Sequence, residues 1–448
     1  MYTPPGKATR IDLFSLKTPQ MRAFHMTWFA FFLCFFAWFG IAPLMPIVRK
    51  ELALTKDQVG WCIIGSVSIT ILARMGIGWL CDRIGPRLSY TWLLTLGSIP
   101  VMMIGFANSF ESFLLFRILI GVIGASFVIT QYHTSQMFAS NCIGTANAAT
   151  AGWGNLGGGV TQMVMPLVFA GFVTLCGFSD ALGWRAAMLL SGILCFLTGI
   201  AYYFLTQDTP EGNFSTLRQS GAMPAVKQSK GSFLAAAGDY RVWALALIYA
   251  CCFGMELTLD NIAALYFTDY FQLDLYWAGA AAASFGMMNL FARALGGYIS
   301  DRCNAEWGLK GRVRWMFAVV LCEGLCLMLF ASMNVIWLAV PSMLLLGLFV
   351  KMSNGATYAV VPFVNRQSLG SVAGIVGAGG NIGAVAAGFL FKGGMSWPAA
   401  LMLLGGVITI SSTAALAVWF SPEVEADALK LQKPQPASEG LELAGATA

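Results

Sequence analysis

The chain alternates between long apolar runs and short polar breaks. Twelve runs begin near Phe24, Val59, Ser89, Glu111, Gly144, Arg185, Arg241, Tyr276, Val313, Val335, Gly370 and Pro398. Each reaches the roughly 20 residues that a helix needs to cross the hydrocarbon core of a bilayer. The runs are uninterrupted and lack the period-two alternation of a lipid-facing barrel strand. Backbone polar groups in lipid must be satisfied within the segment, so the pattern predicts an all-α membrane protein with twelve transmembrane helices. The first 23 residues lack the short apolar core and small-residue cleavage site of a signal peptide, so the first run is expected to stay in place as a helix.

The longest polar break is TQDTPEGNFSTLRQSGAMPAVKQSKGS, Thr206–Ser232, punctuated by Pro and Gly as a linker is. It divides the chain into an N-terminal segment 1–23, a six-helix half 24–206, a linker 207–240, a second half 241–420 and a short polar tail 421–448 expected to be disordered. The halves repeat each other. ARMGIGWLCDR, Ala73–Arg83, returns as ARALGGYISDR, Ala292–Arg302, with an offset of 219 residues. Two Gly-rich stretches, TAGWGNLGGGVTQMV and GIVGAGGNIGAVAAGF, each enclose one asparagine, Asn155 and Asn381, 226 residues apart. Two independent markers therefore relate the halves, the layout of many secondary transporters, whose substrate site lies between repeats near mid-membrane.

Composition agrees: 58% of the residues are hydrophobic and only 10% charged, against about 25% charged in a soluble domain. The charges set an orientation. With a cytoplasmic N-terminus, the outside loops hold only Arg49, Lys50, Lys56, Arg185 and Lys392, while seventeen of the 26 Lys and Arg fall on the inside. That positive-inside bias accounts for the net +5 without nucleic-acid binding. Two histidines, His25 and His133, and eleven cysteines without a CxxC pair give metal ligation, haem or covalent catalysis little to work with. No cofactor and no enzymatic activity are expected; the cysteines read as small packing residues.

Four basic residues remain inside the apolar runs: Arg74, Arg117, Arg293 and Lys351. Ionisable groups at membrane depth are costly and are functional candidates by default. Arg74 and Arg293 are repeat mates, each eight residues before the Asp of its repeat, roughly 12 Å along a helix and hence near mid-membrane. One pseudo-symmetry operation brings both to a central cavity, where two planar guanidinium forks match a planar oxyanion. The alternative is that each pairs with a buried acid, Glu256, Asp260 or Glu323. Arg117 and Lys351 lack mates and fit a structural or gating role as well as substrate contact. The glycines let helices approach closely, and Asn155 and Asn381 could offer amide donors; plain helix packing is the simpler reading of the same glycines.

Gly78-Asp82-Arg83 and Gly297-Asp301-Arg302 resemble the loop signature of the major facilitator superfamily, which latches the cytoplasmic side. AGWGNLGGG and GAGGNIGAVAAGF resemble the two signature stretches of its nitrate/nitrite porter family. FFAWFGIAPLMP, FGMELTLDNIAALYF and GATYAVVPFVNRQSLGSVAG are similar to the same family, with a lean towards high-affinity nitrate transporters and their bacterial relatives. The resemblance spans about residues 20–420. It implies that Arg74 and Arg293 clamp the substrate, that Asn155, Asn381, Gly154, Gly158 and Gly380 line the pore, and that Tyr249 hydrogen-bonds the anion. Family members either exchange nitrate for nitrite or carry nitrate with protons. Glu256 and Asp260, one turn apart on one helix face, are candidates for proton coupling. The expectation is alternating-access uptake of nitrate, and of nitrite as a further substrate, with protons. A nitrate/nitrite antiporter, a carrier of another oxyanion and a nitrate sensor on a transporter scaffold are the alternatives. The protein is expected to be a monomer in the plasma membrane, the inner membrane if bacterial, with both termini cytoplasmic.

Overall fold

The computed structural model describes residues 6–138, 143–221, 232–365, 369–392, 394–422 and 425. The first six crossings are α1 (Pro19–Phe39), α3 (Lys56–Ile84), α4 (Pro86–Met103), the pair α5 (Phe110–Ile120) and α6 (Ser126–Met137) joined through a 3₁₀ turn, α7 (Ile143–Leu175) and α8 (Asp180–Leu205). A short helix, α2 (Met45–Glu51), joins α1 to α3. The linker contributes α9 (Phe214–Gln219) and α10 (Ser232–Ala237). The later crossings are built from α11 (Tyr240–Phe271), α12 (Leu275–Met287), α13 (Ala292–Ala331), α14 (Ile336–Val360), α15 (Leu369–Lys392) and α16 (Trp397–Ser411).

Local chemistry sets where these helices start. Thr55 and Gln58 form a capping box at the head of α3, and Ser109 and Ser112 do the same for α5, each satisfying backbone N–H groups that the first turn leaves without partners. Asp239 caps α11 and Asp274 caps α12. Among the described residues, eleven helical stretches are long and apolar enough to cross a membrane. The twelfth crossing, the one expected from Tyr276, is made of two pieces, α12 and the head of α13. It is interrupted by a 3₁₀ turn at Met288–Leu290 and by Phe291 at φ −137°, ψ −29°, and it carries Arg293, Asp301 and Arg302. The break falls directly before Arg293, and Asp301 and Arg302 follow two turns later, so neither piece alone is a long apolar helix. α13 then turns at Gly308, where φ is +65°.

The two Gly–Asn stretches do matching work. A Cβ on Gly157 of α7 would lie 2.1 Å from the Phe32 carbonyl oxygen of α1, and one on Gly383 of α15 would lie 2.2 Å from the Ala250 carbonyl oxygen of α11. Each stretch thus seats its helix directly on the backbone of the first crossing of its own repeat, an approach closed to any residue with a side chain. On its other side α7 meets α12, with Gly159 and Gly286 backbone to backbone.

The face that carries α2 is sealed between segments on either side of the linker. Arg49 grips Asp269 with two hydrogen bonds of 2.6 and 2.7 Å. Lys392 Nζ lies 3.5 Å from Asp57 Oδ1 and over the Trp61 ring, and Lys56 donates to the Met395 carbonyl. Beneath them Gly60 packs on the backbone of Lys392. At the opposite face, Asp208 of the linker accepts the backbone N–H groups of Arg87 and Phe214 at 2.8 and 2.9 Å. Burial pushes this carboxyl above its usual range, against the pull of those N–H donors.

The sealed face makes a checkable statement. Asp269→Asn removes the charge that holds Arg49, so Cys62, buried two residues beyond Gly60, is expected to react several-fold faster with a maleimide, read by mass spectrometry of the labelled peptide. Unchanged labelling would mean the ion pair does not hold this face shut.

Candidate functional site

Arg74 and Arg293 arrive from α3 and α13 at one aromatic enclosure. The Arg74 guanidinium lies 5.6 Å from the ring centre of Phe127 and 5.3 Å from that of Phe253, where the ring faces attract a cation. Its Nη1 donates to the Gly377 carbonyl at 3.2 Å. Phe253 stacks on Tyr249, centroids 5.0 Å apart, and the Tyr249 hydroxyl accepts a 3.1 Å hydrogen bond from Arg293 Nη2. Tyr358 closes the enclosure, edge-on to Tyr249 at 4.9 Å and to Phe127 at 6.3 Å. Both arginines therefore reach the same pair of tyrosines.

Donors are left over. Arg74 Nε and Nη2 and Arg293 Nη1 are buried without a protein partner. Among the described residues, neither guanidinium has a carboxylate within ion-pair distance. The donors left over on each guanidinium fork thus face a region whose walls supply ring faces, the Tyr249 hydroxyl and one carbonyl.

The signature residues divide between the enclosure and the packing around it. Asn381 Nδ2 donates at 3.4 Å to Gly377 O, the carbonyl that Arg74 also uses, and its Oδ1 has no protein partner. Gly380 makes room for the rings: a Cβ there would stand 2.6 Å from Phe253 Cδ1 and 3.0 Å from Tyr249 Cδ1. Asn155 is buried on α7 with neither amide atom bonded to protein. Gly154 accommodates the Phe31 ring, and Gly158 faces Asp260 at 3.0 Å from Oδ2. The structure thus groups Arg74, Arg293, Tyr249, Asn381 and Gly380, while Gly154 and Gly158 serve contacts of α7 with α1 and α11. Phe127 and Tyr358 lie outside the residues singled out from sequence. An aromatic in an apolar helix carries no mark that distinguishes a wall of the enclosure from ordinary core.

The buried acids are accounted for differently from one another. Glu256 is matched by Lys351, Nζ 2.8 Å from Oε1, and by the Asn289 and Asn354 amides at 3.0 and 2.6 Å. Lys351 is therefore a counter-charge, held over the Phe285 ring at 4.2 Å. Asp260, one turn further along α11, is buried against Gly158 with Oδ2 lacking a hydrogen bond, while its backbone oxygen accepts from Gln162. Glu323 is fully buried on α13. Of the loop signature, Asp301 pairs with Arg312 at 2.6 Å and Arg302 donates to Tyr298 at 2.7 Å. The Arg83 carbonyl accepts from Arg218 of the linker. The Asp82 side chain lies outside the described residues.

Comparison with known proteins places this geometry in context. Residues 27–376 match the family model described as Major Facilitator Superfamily. The chain is 40% identical over 425 residues to the high affinity nitrate transporter 2.5 of Arabidopsis thaliana, covering 93% of this chain and 83% of the relative. It is 31% identical to the nitrate/nitrite transporter NrtP of a Picosynechococcus species, covering 82% and 84%. Among solved structures, a bacterial homolog of the human lysosomal transporter Spinster, inward-facing and occupied, matches with a TM-score of 0.68 at 15% identity over 89% of this chain and 98% of that one.

The Glu256–Lys351 pair carries a stability prediction. Removing one partner of a buried ion pair leaves an uncompensated charge and costs about 3–5 kcal/mol. Glu256→Gln is expected to lower the melting temperature of the detergent-purified protein sharply, and Glu256→Gln with Lys351→Met to recover most of the loss. A single variant as stable as the parent would show that the pair does not brace α11 against α14.

Proposed function

The chain belongs to the Major Facilitator Superfamily, and we propose that within it the protein carries nitrate, with nitrite as a second substrate, across the membrane by alternating access. The observation that carries this reading is the pair of repeat-related guanidinium groups at one aromatic enclosure, with donors to spare and, among the described residues, no carboxylate in ion-pair contact with either. The names of the relatives, nitrate transporters at 31–40% identity, supply the substrate.

Nitrate is planar, with three equivalent oxygens. The Nε–Nη2 edge of Arg74 offers two parallel donors to two of them, and Arg293 Nη1 offers another from the opposite side. The rings of Phe127 and Phe253 hold the Arg74 fork in plane without competing for its hydrogens. Tyr249 fixes Arg293 by accepting at Nη2, which leaves Nη1 for substrate. Asn381, tethered to the same carbonyl as Arg74, stands beside the clamp as a further amide, and Asn155 is its repeat mate. The two uncompensated charges make the empty carrier costly to reorient, and a bound anion removes that cost, so occupancy drives the halves, 24–206 and 241–420, to rock. Opening breaks the Arg49–Asp269 and Asp57–Lys392 seals.

In this reading the α2 face is external, both termini are cytoplasmic by the positive-inside bias, and the protein works as a monomer in the plasma membrane, the inner membrane if bacterial. The loop signature around Asp82, Arg83, Asp301 and Arg302 latches the cytoplasmic face. A proton accompanies the anion, and of the two acids on α11 the carrier is Asp260: Glu256 is occupied by Lys351 and two amides, whereas Asp260 sits at the seam with α7 with an oxygen unbonded.

Three outcomes follow in proteoliposomes. Counterflow is expected with nitrate and nitrite, and uptake is expected to rise when the outside is made acid; no counterflow with either anion would overturn the substrate. Arg74→Lys keeps the charge but loses the fork, and is expected to reduce transport by about two orders of magnitude, the scale of a misplaced clamp. Near-normal uptake by that variant would count against bidentate binding. Asp260→Asn is expected to leave nitrate exchange in place and flatten its response to a pH gradient; a retained response would assign coupling elsewhere or favour plain nitrate/nitrite exchange.

A further inference from the structure

Arg117 is the one intramembrane basic side chain that the clamp and the Glu256–Lys351 pair leave unexplained. It projects from α5 and is 1% exposed. Its Nη1 donates to the Trp38 carbonyl of α1 at 3.1 Å and its Nη2 to Asn261 Oδ1 of α11 at 3.0 Å, and its Nε has no protein partner. Among the described residues no carboxylate lies within ion-pair distance of it. The thiol of Cys62 lies within electrostatic reach of it. A charge buried in a membrane protein without a counter-charge is not a brace that stability alone selects, because desolvation is costly and two neutral acceptors repay only part of it.

The position is specific. Ser66, whose Oγ donates to the Ile63 carbonyl of its own helix at 2.8 Å and lies 3.4 Å from Asn261 Oδ1, is eight residues from Arg74 on α3, about 12 Å of helix. Asn261 lies eight residues from Phe253 and eight from Asp269 on α11. Both helices therefore put Arg117 midway between the central clamp and the sealed α2 face. The bonding is divided in a telling way. Arg117, the donor to Asn261 Oδ1, and Ser66 beside it come from segments before the linker, and the acceptor comes from α11 after it. An opening that parts α11 from α3 and α5 would take this oxygen away. The Arg117 guanidinium and the Ser66 hydroxyl, still anchored by Trp38, whose indole N–H donates to the Ser66 carbonyl at 2.7 Å, would then face the entry path. The group able to replace a lone amide oxygen between a guanidinium and a hydroxyl is the oxygen of a small oxyanion.

We propose that Arg117 and Ser66 form an outer anion site that captures substrate in the opened state, and that Asn261 Oδ1 stands in for the anion's oxygen when that face is closed. Re-entry of Asn261 displaces the anion towards Arg74 and Arg293, so closure and inward transfer are one event. This inference rests on the proposed anion transport and adds a second station to it.

The test compares nitrate uptake kinetics in proteoliposomes. Arg117→Gln is expected to raise the external KM about tenfold, in line with loss of electrostatic capture, with kcat within about twofold of the parent; Arg117→Lys should fall between. Asn261→Ala removes the competitor and is expected to lower KM. In that variant, external nitrate should slow maleimide labelling of the neighbouring Cys62, and adding Arg117→Gln should abolish the protection. An unmoved KM in Arg117→Gln, with only kcat or the amount of folded protein reduced, would show Arg117 to be a structural brace and overturn the proposal. If Arg117→Gln fails to accumulate, Asn261→Ala decides, since an unchanged KM and no nitrate protection of Cys62 would overturn it equally. Absence of nitrate counterflow in the parent protein would instead strike the substrate assignment.

Discussion

Two positive charges in the middle of a bilayer-spanning bundle, with no acid in ion-pair contact with either among the described residues, constrain everything around them. Arg74 and Arg293 are held by ring faces, a tyrosine hydroxyl and one backbone carbonyl. These partners orient the guanidinium groups without neutralising them. Of the acids on α11, Glu256 lies in electrostatic reach of Arg293 but forms its ion pair with Lys351, and Asp260 faces α7. In the proposed mechanism the charge of the site is kept for a ligand, and the desolvation it carries ties the ligand's arrival to the conformational cycle.

The glycine stretches serve that constraint indirectly. They seat α7 on α1 and α15 on α11 through backbone contact, and the α15 stretch also lies against Arg74 of the other repeat. In the second repeat the effect is direct, because Gly380 is the position that lets Phe253 and Tyr249 stack flat between the two guanidinium groups. In the first repeat Gly154 admits Phe31 instead. The pseudo-symmetry of the sequence is therefore kept in the packing and broken in the site, which is expected where a ligand with three equivalent oxygens meets two unequal surroundings.

Much of this was legible beforehand because membrane sequences are written in long, low-ambiguity periods. All twelve crossings were legible as apolar runs, and the one from Tyr276, which among the described residues is not one of the eleven long apolar helices, also stood out as a repeat of ARMGIGWLCDR. The paired arginines were legible because charge at membrane depth is rare. What was not legible depends on which side of a helix a residue faces. Glu256 and Asp260, one turn apart, look alike in sequence, yet one meets Lys351, Asn289 and Asn354 and the other meets Gly158. Phe127 and Tyr358 are ordinary aromatics until the fold brings them to Arg74. The role of Arg117 required knowing that its acceptor, Asn261, lies across the linker in sequence and across the seam in space.

In the proposed cycle the sealed α2 face and the enclosure below it form one stage, and the guanidinium pair is the group that meets the ligand. The most direct check is equilibrium binding of nitrate to the detergent-purified protein by titration calorimetry, alongside Arg74→Gln and Arg293→Gln variants that remain folded. Saturable binding in the parent protein and its loss in each single variant is the expected result. Binding of equal affinity in either variant would contradict a shared clamp.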